Sequence, residues 1–303
     1  MMFTVSDNKT IKQQARQLMR QSRPRPVLVT LLLLLILLVF AFLRAKLSGV
    51  FDPVLLEPLK EYYQAAIDGD LDHAMEIYQQ WMETSSAIQQ PFFHQAITFA
   101  ISIVSYVLTA GYVIFIMNSV RKSDPTVYNL LDGFGQFLRV TILSFIRSIL
   151  ISVMTFILAM MVLIPLVVLE IIIFSFPQQM IPFLSAFLFY PACVFALLMV
   201  IVLLLTFPYR FALFNLLDNP SMRIFDSLAL SRIMLKGNRK RLFKLNLSFA
   251  GFILLSLIFP PLLVWLAPYM LFSWVIFYDE LKTVEFPQGD LLDRIGEDRP
   301  EDE

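Results

Sequence analysis

The sequence has few of the residues on which most catalytic and metal sites depend. Its 303 residues include one cysteine, Cys193, and two histidines, His73 and His94. A single cysteine allows no intramolecular disulfide and no multi-cysteine metal site. Neither histidine stands in a zinc motif of the H-E-x-x-H kind, and the chain has no P-loop, dinucleotide fingerprint or nucleophile elbow. We therefore expect that the chain is not an enzyme and that it holds neither a metal nor a cofactor.

Charged residues are scarce as well. They make up 16% of the chain, against about 25% in an ordinary soluble domain. The formal net charge is zero, which gives no support to a nucleic-acid partner. Hydrophobic residues reach 58%, against roughly 45–50% in soluble domains. This composition is typical of an integral membrane protein.

Residues 1–26 form a basic segment that precedes the first long apolar run. Four of its cationic side chains lie three or four positions apart, namely Lys9, Lys12, Arg16 and Arg20. On a helix they share one face, which suits either a simple cytosolic flank or a contact with anionic lipid head groups. Residues 27–43 are almost purely aliphatic and predict the first transmembrane helix. No small-residue cleavage pattern follows them, so we interpret this helix as a retained anchor.

Residues 48–95 are acidic and carry two stretches of helical periodicity on either side of an Asp-Gly-Asp turn. We predict an amphipathic helical hairpin outside the cytosol, with Asp70 capping its second helix. Its apolar faces would rest on the membrane surface or on the outer ends of other helices. Asp68, Asp70 and Asp72 match alternate positions of a calcium loop, but His73 stands where that loop needs a glycine. We interpret the three acids as an acidic turn and helix cap.

Residues 96–281 are predicted to form the main membrane bundle, with cytosolic loops at residues 119–140 and 215–244. The second loop holds seven basic side chains, which places it in the cytosol by the positive-inside rule. We predict a second span over residues 96–118 and a third over about residues 140–164. Pro165 is expected to kink or end the third span, because proline removes a helical hydrogen bond. A fourth span is expected over residues 190–214.

The last apolar residues fall into two short segments, the fifth (residues 245–259) and the sixth (residues 262–278), on either side of Pro260 and Pro261. They would form either a thin hairpin of two spans or a re-entrant pair, and both arrangements return the chain to the cytosol. Residues 282–303 are acidic and predict a disordered cytosolic tail. Altogether we predict an all-α, polytopic helix bundle with about six transmembrane helices and both termini in the cytosol.

Five basic residues near the start of the fifth apolar segment are the candidate binding residues. They are Lys236, Arg239, Lys240, Arg241 and Lys244. Because they flank a helix that enters the membrane, they would lie at the level of anionic phosphates. They would either bind a phospholipid or a phosphorylated ligand, or act only as a topological anchor. Arg147 and Arg210 are candidates for polar groups inside the bundle, although Arg147 also suits a side chain that snorkels to the membrane surface.

A motif before the fifth apolar segment carries a resemblance to a known family. Its residues are Ser231, Met234, Lys236, Gly237 and Asn238, followed by Leu242-Phe243, Leu245, Leu247 to Phe249 and Gly251. Further matches are Asp132-Gly133-Phe134 with Phe137 and Arg139, Asp218-Asn219-Pro220, Pro268-Tyr269 and Phe277-Tyr278. Over residues 120–281 the chain resembles the bacterial membrane family catalogued as domain of unknown function 975. The resemblance implies a multi-pass membrane protein, mainly of Gram-positive bacteria, and it implies no reaction.

Two functions fit these observations. The first is a non-catalytic accessory protein of a transport or envelope system in the bacterial cytoplasmic membrane, which binds a membrane-protein partner through the hairpin or the basic loop. The second is a permease or carrier for a lipid or small solute. Anionic head groups of the bilayer are expected contacts in either case, and the sequence names neither a substrate nor a partner.

Overall fold

The structure is a computed structural model that describes residues 7–47, 53–68, 70–87, 92–174 and 207–285. These residues form twelve α-helices: α1 (Asn8–Gln21), α2 (Pro26–Leu47), α3 (Pro53–Asp68), α4 (Leu71–Ala87), α5 (Phe92–Arg121), α6 (Asn129–Asp132), α7 (Phe137–Phe174), α8 (Ala212–Asp218), α9 (Ile224–Leu235), α10 (Arg239–Leu247), α11 (Ala250–Ile258) and α12 (Leu262–Glu280). Short 3-10 turns precede α7 and α8, and a π-helical turn follows α12. The described residues contain no β-strand, which confirms the predicted all-α class.

Four helical segments of the described chain are long and apolar enough to cross a membrane. They are α2, α5, the stretch Asn129–Ile157 and the stretch Leu262–Thr283. A membrane-spanning helix needs about 20 predominantly apolar residues, because the hydrocarbon core is about 30 Å thick. The described residues are therefore all-helical and contain four candidate membrane spans, while the count of six and the orientation stay predictions.

The third predicted span differs from the expectation. α7 continues through Pro165 to Phe174, so Pro165 does not end the helix, and a kink at this residue stays a prediction. Proline removes one helical hydrogen bond. The backbone hydrogen bonds of the residues before and after Pro165 are sufficient for the helix to continue. With 38 residues, α7 is about 57 Å long. The predicted fourth span, residues 190–214, lies outside the described residues up to residue 206.

The fifth apolar segment is divided between two helices. α10 ends at Leu247, and α11 covers nine residues from Ala250 to Ile258. Nine residues extend about 14 Å along a helix axis. α11 alone therefore does not cross a hydrocarbon core of about 30 Å. The sixth segment forms α12, which has 19 residues.

The main core surrounds the C-terminal ends of α5 and α12. Most buried side chains of α5 lie between Val107 and Ser119, and those of α12 lie between Leu266 and Tyr278. Helices α1, α6, α8, α9 and α10 contribute to the same hydrophobic cluster. We call residues 8–21, 107–136, 207–249 and 266–285, which include these five helices and the turns beside them, the packed unit.

The N-terminal helix α1 is part of the packed unit. Ile11, Ala15 and Met19 repeat at four-residue spacing, which puts all three on one helix face. All three are buried in the main cluster, and α1 packs along α12. Residues 8–21 are therefore a structural element of the bundle.

α3 and α4 pack against each other and form a small core of their own. Ala65, Ala74 and Ile77 are buried in it. Asp70 caps α4, because its Oδ1 accepts a hydrogen bond from the His73 N–H at 3.2 Å. The buried residues of the main cluster include no described residue of α3 or α4. This helix pair is therefore a separate unit in packing.

Candidate functional site

The signature that carries the family resemblance lies inside the packed unit. Four of its side chains are fully buried: Met234, Leu242, Leu245 and Phe249. Ser231 is equally buried, and its Oγ accepts a hydrogen bond from the Phe211 N–H at 3.0 Å. Gly237 has a φ of +95°, a conformation that residues with a side chain rarely adopt, and it forms the turn between α9 and α10. The signature therefore shapes the joint of α9 and α10 with the core.

Two cations of α1 contact the residues that follow α10 and the adjoining face of α12. Lys12 donates from Nζ to the carbonyl and hydroxyl oxygens of Ser248 at 3.3 and 3.1 Å, and it lies 4.8 Å from the centre of the Phe249 ring. Arg16 donates from Nε to the Tyr269 hydroxyl at 3.0 Å. Partial burial, together with the charge of Arg16, lowers the pKa of Lys12. Half of the cationic face predicted on this helix is thus in contact with the protein itself.

An ion network joins the C-terminal ends of α5, α8 and α12. Arg121 binds both Asp218 and Asp279, with a shortest contact of 2.5 Å to each carboxylate. Lys282 Nζ lies 2.7 Å from Asp218, and the Tyr278 hydroxyl donates to the same carboxylate at 3.1 Å. Because the network connects three helices, it fixes their ends relative to one another.

Asp218 is the centre of the network, and its side chain is only 10% exposed. Burial on its own would raise the pKa of Asp218, but the hydrogen bonds and charges of Arg121 and Lys282 outweigh burial and lower that pKa. A carboxylate whose pKa is lowered by folding stabilises the folded state above its ordinary pKa of about 4, and this contribution is lost as the pH falls. The network therefore holds at neutral pH and weakens in acid.

Close approach of two backbones joins α5 to α6 and to the turn that follows α6. A Cβ on Gly111 would lie 2.0 Å from the Leu130 carbonyl oxygen, and a Cβ on Gly133 would lie 2.3 Å from the Val107 carbonyl oxygen. Gly133 belongs to the matched Asp-Gly-Phe motif. Since a side chain at either position would push the backbones apart, the glycine of this motif has a packing role.

Arg139, another matched residue, holds the loop after α8. It donates from Nη2 to the carbonyl oxygens of Met222 and Asn219, and from Nη1 to Gln136 at 3.2 Å. Asn219 is itself part of a matched segment. The matched segments therefore contact one another, and they define a shared architecture.

The five candidate binding residues are not equivalent. Arg241 turns toward α12, where its Nη2 donates to Glu280 at 2.8 Å and its guanidinium lies 4.7 Å from the centre of the Phe277 ring. The other four are exposed: Lys236, Arg239, Lys240 and Lys244. An open pocket of about 820 Å³ lies beside Lys236 and Arg239. Arg241 thus has a structural contact that the sequence did not indicate, and ligand binding by the cluster stays a prediction.

The two arginines considered for the bundle interior have different surroundings. Arg147 is exposed on α7, whereas Arg210 is half-buried just before α8. The Arg210 guanidinium lies 3.8 Å from the centre of the Trp274 ring, well within the range of a cation–π contact. Trp274 is held in turn by a hydrogen bond from its Nε1 to Asn246 at 2.9 Å. Arg210 therefore has a protein contact, and a functional role for either arginine stays a prediction.

Sequence reasoning missed the network around Asp218. Arg121, Asp218 and Asp279 are far apart in the chain, and only tertiary packing brings them together. One signal was available, since Asp218 is an acid within a loop of seven basic residues. In the described ranges, no group of three or more histidine, cysteine or acidic residues is arranged to hold a metal ion. The contacts of Asp218 with Arg121 and Lys282, and of Arg121 with Asp279, join the ends of three helices, which gives the network a structural role.

A family model described as a protein of unknown function, DUF975, matches residues 1–285. The chain belongs to the DUF975 family. The match confirms the resemblance seen over residues 120–281, and it extends that resemblance to α1, α2 and the α3–α4 pair. Comparisons with curated proteins and with solved structures found no significant match. Membership of DUF975 carries no assigned reaction, so a function has to be inferred from the surfaces of the molecule.

Proposed function

We propose that this protein is a non-catalytic accessory component of a system in the bacterial cytoplasmic membrane, and that it binds a membrane-protein partner through the α3–α4 pair. The surface of that pair carries the proposal. Five large apolar side chains are exposed on it: Tyr63, Ile67, Met75, Tyr78 and Met82. Ile67 is 83% exposed. Exposed apolar patches on a folded element are typical of interaction sites.

The chemistry around this patch indicates the class of partner. Residues 53–87 contain seven acidic residues and a single basic one, Lys60. Acidic charge opposes binding to anionic lipid head groups, which attract basic segments instead. It favours a protein that presents basic side chains around an apolar patch, because complementary charges steer and align an interface. The proposed partner is therefore a membrane protein with a basic, partly apolar face.

The packed unit has a different role in this proposal. Its buried serine, its paired glycines and the Asp218 network hold the helices in one arrangement. In the proposed orientation both termini and the packed unit lie on the cytosolic side, and the α3–α4 pair lies on the outer side. The packed unit then anchors the protein, and the helix pair presents the surface for the partner.

Co-purification in a mild detergent tests this function. The wild-type protein should retain a membrane-protein partner in stoichiometric amount. Replacing Ile67 and Met75 by serine (I67S/M75S) should release that partner, because both substitutions remove exposed apolar contacts. The matched control replaces Gln79 and Gln80 by alanine, since both are exposed on α4 as well. This control should retain the partner.

The alternative function is a permease or carrier for a lipid or small solute. It predicts solute flux by the purified protein alone in liposomes. Such flux, with no stoichiometric partner bound to the wild-type protein, would contradict the accessory role.

A further inference from the structure

A second cationic pocket lies where α1 leads into α2, and it involves none of the five basic residues discussed above. We propose that this pocket binds the phosphate of an anionic phospholipid, whose acyl chains follow the adjoining apolar helices. The pocket has a volume of about 570 Å³, which falls within the range of roughly 300–1,000 Å³ for ligand sites. The site is independent of the partner surface on the α3–α4 pair.

Positive charge without an internal counterion is the first property of the pocket. Three arginines line it: Arg16, Arg20 and Arg25. None of its lining residues is acidic, and the ion pairs of the described chain include none of the three arginines. The sequence itself has no acid between Asp7 and Asp52. Since guanidinium groups bind phosphate through paired, charge-assisted hydrogen bonds, a phosphate would supply the missing negative charge.

Arg16 is already oriented for such a contact. Its Nε donates to the Tyr269 hydroxyl at 3.0 Å, and its guanidinium lies 5.2 Å from the centre of the Tyr269 ring. This bond uses Nε and leaves the terminal nitrogens available to a ligand. A guanidinium that is held in place before binding loses less conformational freedom when it binds. Arg16 is therefore the main phosphate contact in this site.

The rest of the lining is apolar. It includes Met19, Phe252 and Trp265, and tryptophan is enriched at the level of lipid head groups. The helices that supply this lining expose apolar side chains close to it in sequence, since Leu28 of α2 is 59% exposed and Leu254 of α11 is 64% exposed. A phospholipid matches both parts of the lining, with its phosphate at the arginines and its acyl chains at the leucines. A free phosphate would match only the arginines.

The test uses the full chain in mixed micelles of a nonionic detergent and phosphatidylcholine, titrated with phosphatidylglycerol. Native mass spectrometry counts the phosphatidylglycerol retained per chain. The R16Q/R20Q/R25Q variant removes the three arginines of the pocket. The matched control, K122Q/R223Q/R232Q, removes three exposed charges that belong neither to this pocket nor to the five candidate binding residues. A diffuse electrostatic attraction would weaken binding equally in both variants, by roughly fivefold per charge.

We expect R16Q/R20Q/R25Q to bind phosphatidylglycerol about tenfold more weakly than the control variant, because only the pocket variant also loses the bidentate contacts. Equal losses in the two variants, or no loss in the pocket variant, would overturn the site. Displacement of the lipid by inorganic phosphate would show a free-phosphate site and overturn the lipid assignment. Undisturbed binding in the presence of inorganic phosphate is the expected result.

The R20Q/R25Q variant provides a second measurement if the triple variant does not fold. It leaves the Arg16–Tyr269 contact intact, and both replaced side chains are exposed. With circular dichroism confirming its helical content, it should bind phosphatidylglycerol more weakly than the double control K122Q/R223Q, whose replaced side chains are also exposed. Wild-type affinity in R20Q/R25Q would contradict the proposal.

Discussion

The packed unit and the α3–α4 pair differ in what their apolar side chains contact. In the packed unit, large aromatic residues such as Phe115, Phe211 and Tyr278 are fully buried. In the α3–α4 pair, Ile67 and Tyr63 are largely exposed. Burying apolar surface contributes to stability, whereas an exposed apolar side chain contributes little until another molecule covers it. The comparison separates the region that holds the protein together from the region that is free to bind.

Most of the residues that carry the family resemblance lie in the packed unit. Ser231 accepts a backbone hydrogen bond, Gly133 permits close backbone contact, and Asp218 centres the ion network. Each of these roles is internal to the fold. A family resemblance carried by such residues reports a shared architecture, and it leaves the binding surface of each member to be found separately.

The largest effect on stability is expected from adding a methyl group at Gly133. The Cβ of Gly133→Ala would lie 2.3 Å from the Val107 carbonyl oxygen, so the two backbones would have to separate, at a cost of about 3 kcal/mol. Thermal unfolding in detergent measures this cost. Gly135→Ala is the matched control, because nothing lies within 4 Å of its new Cβ. Equal changes in the two variants would contradict the close approach of α5 and the turn.

The next largest effect is expected at the ion network. Asp218→Asn leaves Arg121 and Lys282 with a neutral amide, and we expect a loss of about 2 kcal/mol, less than for a fully buried pair because Arg121 is partly exposed. Chemical denaturation in detergent measures it. Asp124→Asn, an exposed acid outside the network, should change the free energy of unfolding by less than about 0.5 kcal/mol. A similar loss of unfolding free energy in both variants would contradict a stabilising role of Asp218 in the network.

The same network predicts a pH dependence of stability. Folding lowers the pKa of Asp218, so its contribution is complete above the ordinary pKa of about 4 and is lost as the pH falls through the lowered folded-state pKa. Because other carboxylates titrate in the same range, the quantity to measure is the difference in unfolding free energy between the wild-type protein and Asp218→Asn. This difference should shrink as the pH is lowered below about 4. A constant difference would contradict the assignment.

A smaller effect is expected from one buried hydroxyl group. Ser231→Ala leaves the buried Phe211 N–H without its acceptor, and we expect a loss of about 1 kcal/mol. Ser273→Ala is the control, since Ser273 is equally buried and its Oγ bonds only the Tyr269 carbonyl of its own helix. This control should be close to neutral. Equal free energies of unfolding in the two variants would show that the Ser231 hydrogen bond does not stabilise the fold.

The smallest effect on stability is expected on the α3–α4 surface. The I67S/M75S variant should unfold within about 0.5 kcal/mol of the wild-type protein, because neither side chain is buried. Ile77→Ala, in the small core of the pair, should cost about 2 kcal/mol. Circular dichroism during thermal unfolding distinguishes the two outcomes. A large loss in I67S/M75S would show that the exposed patch is covered by the protein itself.

The candidate spans were the most predictable part of the fold. α2, α5 and α12 follow the apolar runs of the sequence, because runs of that length fit a membrane helix and little else. Local patterns were less informative about where a helix is interrupted. They predicted a kink or an end at Pro165, where α7 continues, and they missed the break between α10 and α11. The contacts of Arg241 and Asp218 were not predictable, since their partners come together only through tertiary packing.

The most direct test of this division between the two regions is site-specific photo-cross-linking in intact cells. A photoreactive residue replaces Ile67 on the α3–α4 pair or Lys236 on the packed unit, both of which are exposed. We predict one discrete membrane-protein adduct at position 67, which disappears when Met75 is also replaced by serine, and no such adduct at position 236. A discrete protein adduct at position 236 with only lipid attached at position 67 would place the interaction on the packed unit and contradict the proposed function.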